Sequence, residues 1–148
     1  LRGDLTVVAR RAADNKVLFS QLIKNTITYN GMYAVLRLLK QDSVTLSDYQ
    51  ITSIRSGSGS TPPTRDDPGL SSPVITLPLD ATTRELSLPT SDLVLSATIG
   101  TADAVGNTVC EAGWFFANGT MGGRQVHVPI ELTGLITVTY TWRLGVTA

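Results

Sequence analysis

The segment at 136–144 of this 148-residue chain alternates strictly between large apolar side chains and polar ones. Every second residue from Ile136 to Leu144 is apolar, and the residues between them are three threonines and Arg143. Side chains of a β-strand point alternately to the two faces of its sheet, so this pattern predicts one buried face and one hydrated face. Such one-sided burial is typical of antiparallel sheets that pack in pairs.

Strand-forming runs bounded by Gly, Pro, Asn or Asp fill most of the remaining chain, and 93–99 shows the same alternation. The pattern predicts a mainly β fold, an antiparallel, jelly-roll-like β-sandwich of about eight strands and at most nine. The extended segments are predicted at 5–11, 17–24, 27–29, 49–55, 73–79, 85–88, 92–99, 107–117, 124–132 and 134–144. The first two, joined by the turn-forming residues 12–15, are predicted to form an N-terminal hairpin.

One short helix is predicted over 31–40. Met32, Val35, Leu36 and Leu39 recur at helical spacing, and Asn30 stands where an N-cap belongs. A helix of about ten residues is marginal by itself, so we expect this apolar stripe to dock on a sheet.

A tract rich in Ser, Gly and Pro occupies about 56–72. Its prolines and glycines exclude it from a sheet interior. The segment before it is too small to close its own core, so we interpret the tract as a surface loop of a single domain, 1–148, and not as a linker. It lacks the Lys and the following helix of a phosphate-binding loop. We expect it to be flexible, or ordered against a neighbouring subunit.

The composition excludes several function classes. Twelve basic residues balance twelve acidic ones, which argues against a nucleic-acid partner. A single Cys and a single His exclude a disulfide framework and the common zinc sites. The longest apolar clusters are too short for a membrane helix, and no export signal is recognised. Twenty threonines with only 16% charged residues suit sheet faces covered by hydroxyl groups.

The residues that could carry chemistry favour structural roles. Glu85, Glu111 and Glu131 show no spacing that pairs two carboxylates, and the aspartates show no calcium-loop spacing. His127 is expected to be half-exposed on its strand, and Cys110 to pack as a small hydrophobe. We therefore expect no catalytic residue, no cofactor and no metal. The Arg2-Gly3-Asp4 tripeptide is interpreted as a polar lead-in to the first strand. The N-glycosylation sequon Asn118-Gly119-Thr120 is interpreted as a hairpin turn.

The aromatic run Trp114-Phe115-Phe116 places neighbouring rings on opposite faces of a strand. At least one ring must therefore leave the core, either to lie under a loop or to anchor an interface. Both alternatives stay open at this point. The candidate interface residues are Trp114, Phe116, Ser58, Pro62, Pro63, Arg65 and Arg2.

Several segments share their order with a known module. The first segment is 51–70, in which the form I-x-x-I-x-x-G-x-G-x-T-x-P is followed by an Asp and a Leu. The later segments are Glu111-Ala112-Gly113-Trp114-Phe115, Gly122-Gly123-Arg124 and the Thr-rich strand at 137–144. In this order the chain resembles a recurrent β-sandwich module of tailed-bacteriophage structural proteins. The Ser-rich tract and the double proline depart from the usual form of its loop.

The resemblance implies a non-enzymatic virion protein, assembled in the bacterial cytoplasm. A small free-standing copy looks most like a capsid decoration or cement protein that binds the major capsid protein or other virion proteins as a homo-oligomer. The first alternative is a tail or baseplate component. A further alternative from another class is a carbohydrate-binding β-sandwich, although 6% aromatic residues leave few platforms for sugar rings.

Overall fold

A computed structural model describes residues 2–40, 45–87 and 90–147. The described residues form ten β-strands, one α-helix and a 3₁₀ turn at Leu46–Tyr49. The elements are β1 (Arg2–Arg11), β2 (Val17–Lys24), β3 (Thr26–Ile27), α1 (Tyr29–Lys40), β4 (Ile51–Gly57), β5 (Pro73–Pro78), β6 (Ala81–Ser87), β7 (Thr90–Ile99), β8 (Thr108–Phe116), β9 (Met121–Glu131) and β10 (Ile136–Thr147). The predicted mainly β, antiparallel sandwich is confirmed, with ten strands instead of eight or nine.

The strands form two five-stranded sheets. Sheet A has the order β2-β1-β10-β7-β6, and sheet B has the order β3-β9-β8-β4-β5. Neighbouring strands pair antiparallel throughout. Each sheet contributes apolar side chains to one shared core, which includes Leu5, Leu95 and Trp142 from sheet A and Ile54 and Trp114 from sheet B.

The alternation along β10 leaves one face of the strand buried and the other at the surface, as predicted. Val138, Tyr140 and Trp142 are fully buried, and the threonines between them lie on the outer face of sheet A. Two of these outer hydroxyls pair across strands, since Thr139 Oγ1 lies 3.1 Å from Thr98 Oγ1. The abundant threonine therefore covers an outer sheet face, as the composition indicates.

The helix differs from its prediction at both its start and its docking face. Thr28, not Asn30, is the N-cap, because its hydroxyl accepts a hydrogen bond from the N–H of Gly31 at 3.1 Å. Gly31 and Ala34 are the buried residues of α1, whereas Leu36 and Leu39 of the predicted stripe are 62% and 76% exposed. A Cβ at Gly31 would stand 2.3 Å from the carbonyl oxygen of Gly122. The helix thus approaches β9 at glycine, and of the predicted stripe only Met32 and Val35 are half-buried.

The strand before the polar loop also begins later than predicted. Tyr49 belongs to the 3₁₀ turn, and β4 runs from Ile51 to Gly57. The third strand is limited to Thr26–Ile27. Of the loop expected at 41–47, residues 41–44 lie outside the described residues.

Candidate interaction site

Glu111 carries a buried carboxylate on the outer face of sheet B. Its Oε1 accepts hydrogen bonds from the backbone N–H groups of Gly59 and Ser72, at 3.1 and 2.7 Å. Its Oε2 accepts one from the N–H of Ser71 at 3.0 Å and one from Nε of Arg124 at 2.8 Å. Both carboxylate oxygens are therefore used to hold the segment 58–72 against the sheet.

Arg124 on β9 completes this arrangement and is only 2% exposed. One terminal nitrogen donates to Asp67 at 2.8 Å, and the other donates to the carbonyl oxygen of Thr61 at 3.0 Å. Asp67 also accepts bonds from the N–H and the hydroxyl of Thr64. We call Glu111, Arg124 and Asp67 the clasp, because together they fasten the polar loop to the sheet.

Two loop glycines make the clasp possible. A Cβ at Gly57 would lie 2.6 Å from Oε1 of Glu111, and a Cβ at Gly59 would lie 2.6 Å from the same oxygen. Side chains at Gly57 and Gly59 would push the loop away from the sheet. A Cβ at Gly113 would instead meet β9 first, at 2.9 Å from the carbonyl oxygen of Gly123.

The clasp also sets the pKa values of its acids. Burial pushes the pKa of Glu111 upward, but the bonds from Ser72, Ser71 and Arg124 outweigh burial and bring it below its ordinary value. The pKa of Asp67 is likewise lowered, because the bonds from Thr64 and Arg124 outweigh the effect of burial. Both carboxylates are ionised at neutral pH and serve as fixed acceptors.

A hydrogen-bonded chain of side chains crosses the interior beside the clasp. Nδ1 of His127 lies 2.8 Å from the carbonyl oxygen of Val128, and its Nε2 lies 2.9 Å from the hydroxyl of Tyr140. That hydroxyl is 2.8 Å from Oγ of Ser56. In the neutral ring Nδ1 must carry the proton, since a carbonyl only accepts, and Nε2 then accepts from Tyr140.

The expectation of a half-exposed His127 is wrong, because the side chain is 3% exposed. Burial lowers the pKa of His127, and the bond to Val128 and the charge of Glu111 offset only part of that effect. Cys110 is buried as expected, and burial raises the pKa of its thiol. Its Sγ contacts the carbonyl oxygens of Ser58 and Gly59 at 3.1 Å.

The three consecutive aromatics are all buried, with Trp114, Phe115 and Phe116 at 2%, 3% and 5% exposure. Trp114 and Phe116 belong to the core between the sheets. Phe115 is the ring that points outward, and the guanidinium of Arg55 covers it at 4.1 Å from the ring centre. Contrary to expectation, Trp114 and Phe116 therefore do not project from the surface as anchors, although both line a pocket described below.

The other predicted contact residues remain at the surface. Ser58 and Pro62 are exposed and Pro63 is half-buried, on the loop that the clasp holds. Arg2 and Arg65, which are far apart in sequence, line one pocket of about 440 Å³ together with Lys24, Asp4 and Met32. Arg2 in this pocket is ion-paired with Asp92 at 3.0 Å and with Asp4 at 3.5 Å.

A second pocket, of about 490 Å³, opens at the same helix. Val35 and Leu38 of α1 form one wall, with Tyr49 and Ile51 beside them, and Leu93 comes from sheet A. Trp114 and Phe116 contribute to its lining. We call this the apolar pocket. Its size and lining are typical of pockets that hold an apolar group.

The remaining sequence motifs are accounted for by backbone structure. Gly119 has a φ of +88°, and the N–H of Phe116 bonds to the carbonyl oxygen of Thr120, so the sequon forms the β8–β9 turn as predicted. Arg2 to Asp4 lie within β1. Among residues 2–40, 45–87 and 90–147, no group of three His, Cys, Asp or Glu side chains is arranged to hold a metal ion. Nor does the described part contain a helix long and apolar enough to cross a membrane.

Comparison of the chain with protein-family models, with curated proteins and with solved structures finds no match.

Proposed function

We propose that this chain is a non-enzymatic structural protein of a tailed-bacteriophage virion that decorates the head and stabilises it. The observation that carries the proposal is the common use of the residues shared with the phage module. Gly57, Gly59, Glu111 and Arg124 all serve the clasp. This part of the shared pattern fixes a surface loop on a β-sandwich, while Ile54 and Trp114 of the same pattern belong to the core.

The non-enzymatic part of the proposal is supported by how the interior polar groups are used. Both oxygens of Glu111 are filled by hydrogen bonds within the chain. Both ring nitrogens of His127 are bonded in the core. General acid or base catalysis needs such a group within reach of a substrate, and these groups are bonded to other groups of the protein itself.

A rigid loop suits a protein that binds an assembled shell. Its surface is ordered before contact, so binding does not have to order a flexible tract. A protein that binds the assembled state in preference to free subunits stabilises that state by mass action.

The carbohydrate-binding alternative has less support. The chain has two tryptophans, and Trp114 and Trp142 are 2% and 0% exposed. Neither indole can stack on a sugar ring, so a sugar would have to stack on Tyr29 or Tyr33, which are 53% and 59% exposed.

Quantitative mass spectrometry of particles purified from the virus that encodes this chain tests the proposal. Hundreds of copies per particle are expected of a head decoration protein. A copy number of about a dozen or fewer would assign the protein to the tail or baseplate. Its absence from particles would refute a virion role.

A further inference from the structure

The two sheets are bridged at one edge of the sandwich. The side-chain oxygen of Gln21 on β2 accepts a hydrogen bond from the N–H of Val128 on β9 at 3.0 Å. The side chain of Gln125 on β9 donates in return to the carbonyl oxygen of Lys24 on β2. Hydrogen bonds thus fasten the two sheets to each other on the side of β2 and β9. The other edge of the sandwich is formed by β6 of sheet A and β5 of sheet B.

The apolar pocket lies toward this second edge and enters the core between the sheets. Sheet A lines it with Thr82 of β6 and Leu95 of β7. Sheet B lines it with Trp114 and Phe116 of β8. Leu95, Trp114 and Phe116 are almost fully buried, so the floor of the pocket is part of the core itself. Helix α1 and the 3₁₀ turn form the remaining wall.

The described residues that line this pocket include no charged side chain. Its polar groups are the exposed side chains of Gln50 and Thr82 and the hydroxyl of Tyr49, which accepts a hydrogen bond from Arg37. A charged group on the pocket floor would lose its water without gaining a counter-charge. The lining therefore favours an uncharged molecule, with an apolar body on the floor and its polar group at the rim.

The volume of the pocket indicates the size of its occupant. At about 490 Å³ the pocket is larger than any single amino-acid side chain and falls within the range typical of small-molecule sites. The rings and leucines of the floor offer a wide apolar contact, which is the main source of affinity for such a molecule. A small molecule thus fits this pocket better than one side chain of a partner protein does.

We infer that the apolar pocket is a binding site for an uncharged small molecule with an aromatic or branched aliphatic body. The rings of Trp114 and Phe116 contact this body from sheet B, and Leu95 contacts it from sheet A. Gln50 and Thr82 at the rim hydrogen-bond to its polar group. The inference goes beyond the proposed function and does not depend on it.

Fluorescence titration with N-phenylnaphthylamine, an uncharged apolar probe, tests the inference. The probe should bind the wild type saturably at one site per chain and quench the emission of Trp114 by energy transfer. Anilinonaphthalenesulfonate has the same rings with an added sulfonate, and it should bind about tenfold more weakly or worse. Lack of saturable binding of the uncharged probe, or equally tight binding of the charged one, would overturn the inference.

Two pairs of variants locate the bound probe. Leu38→Trp places a bulky ring on the helical wall of the pocket, whereas Leu39→Trp places the same ring on the exposed side of α1. Thr82→Trp obstructs the mouth from β6, whereas Thr83→Trp lies on the other face of that strand. The two pocket variants should bind the uncharged probe about tenfold more weakly or worse, and their controls should bind it like the wild type.

The exposed position of Thr82 keeps the test valid where Leu38→Trp disturbs folding, because a bulky ring is accommodated on an exposed strand. Thermal unfolding followed by circular dichroism establishes which variants are folded. Unchanged probe binding in the folded pocket variants would place the probe elsewhere on the protein and overturn the inference.

Binding of the same variants to heads that lack the endogenous protein separates a small molecule from a side chain of a partner. All four variants are expected to bind heads like the wild type. Loss of head binding in Leu38→Trp and Thr82→Trp, with full binding by both controls, would mean that the pocket receives a virion protein and would overturn the inference. If the wild type does not bind heads, the proposed function fails, while the probe titration still decides the inference.

Discussion

Arg124 and Glu111 form a salt bridge of 2.8 Å with side chains that are 2% and 0% exposed, although both project from the outer face of sheet B. The loop at 58–72 covers them and removes them from water. A buried ion pair is a weak source of net stability, because desolvation of the two charges consumes most of their attraction. Loss of one partner is costly, however, since the other charge is then stranded.

Glu111→Gln should therefore lower the free energy of unfolding by about 3–5 kcal/mol. The amide keeps the shape of the carboxylate but leaves the guanidinium of Arg124 without its buried counter-charge. Glu85→Gln is the control, because Glu85 forms an exposed pair with Arg143 and should cost at most about 1 kcal/mol. Urea denaturation followed by circular dichroism measures both. Equal costs for the two variants would contradict the role assigned to the clasp.

Gly59→Ala should loosen the loop without unfolding the sandwich. The added methyl group would stand 2.4 Å from Cβ of Ser71 and 2.6 Å from Oε1 of Glu111, so the loop must shift. Hydrogen exchange at the N–H groups of Ser71 and Ser72 should accelerate. Gly69→Ala has no atom within 4 Å of its new Cβ and should leave these exchange rates unchanged. Unchanged exchange rates in Gly59→Ala would mean that the close contact at Gly59 is not needed to hold the loop on the sheet.

Thr28→Ala should destabilise α1 by about 0.5–2 kcal/mol, because the N–H of Gly31 loses its capping acceptor. Asn30→Ala lies inside the first turn and should cost much less. Thermal or urea unfolding of the two variants compares them directly. A larger loss of stability in Asn30→Ala than in Thr28→Ala would mean that Asn30, which the sequence pattern favours, is the N-cap.

Stability should decrease in two steps as the pH is lowered. Burial places the pKa of His127 below its ordinary value of 6.5, so below that pH the unfolded chain takes up a proton that the folded chain does not. The free energy of unfolding should be constant between about pH 7 and about pH 8 and decrease as the pH falls below this range. A second decrease should begin near pH 4.5, where the carboxyl groups of Glu111 and Asp67 become protonated in the unfolded chain.

Urea denaturation at a series of pH values from 8 to 3 measures both steps. His127→Gln should remove the first step and leave the second. Glu111→Gln should reduce the second step and enlarge the first, because the charge of Glu111 raises the pKa of His127 and its loss lowers that pKa further. A free energy of unfolding that rises between pH 7 and pH 5 would contradict the burial of a neutral His127.

The sequence predicts the sandwich well because strand alternation and turn residues are local signals. Ile136 to Leu144 and the Asn118-Gly119 turn are examples in which the local pattern and the fold agree. The sequence does not locate the start of α1, because Thr28 and Asn30 are both good N-cap residues. Only the position of β9 decides between them, since the Thr28 hydroxyl also donates to the carbonyl oxygen of Met121.

The clasp could not be derived from sequence spacing. Glu111 and Arg124 stand at outward positions, where alternation indicates contact with water. The loop that covers them ends at Ser72, which is 39 residues before Glu111 in the chain. A signal is present in Gly57 and Gly59, which leave space beside the carboxylate. The role of His127 was missed for a related reason, because its partner Tyr140 belongs to the other sheet.

A cryo-electron microscopy map of the virus particle tests the central claim most directly. The account predicts density for this ten-stranded sandwich at repeated positions on the outside of the head. Density for the sandwich at the tail or baseplate would contradict the head assignment. A particle map without the sandwich would contradict the claim that the chain is a virion protein.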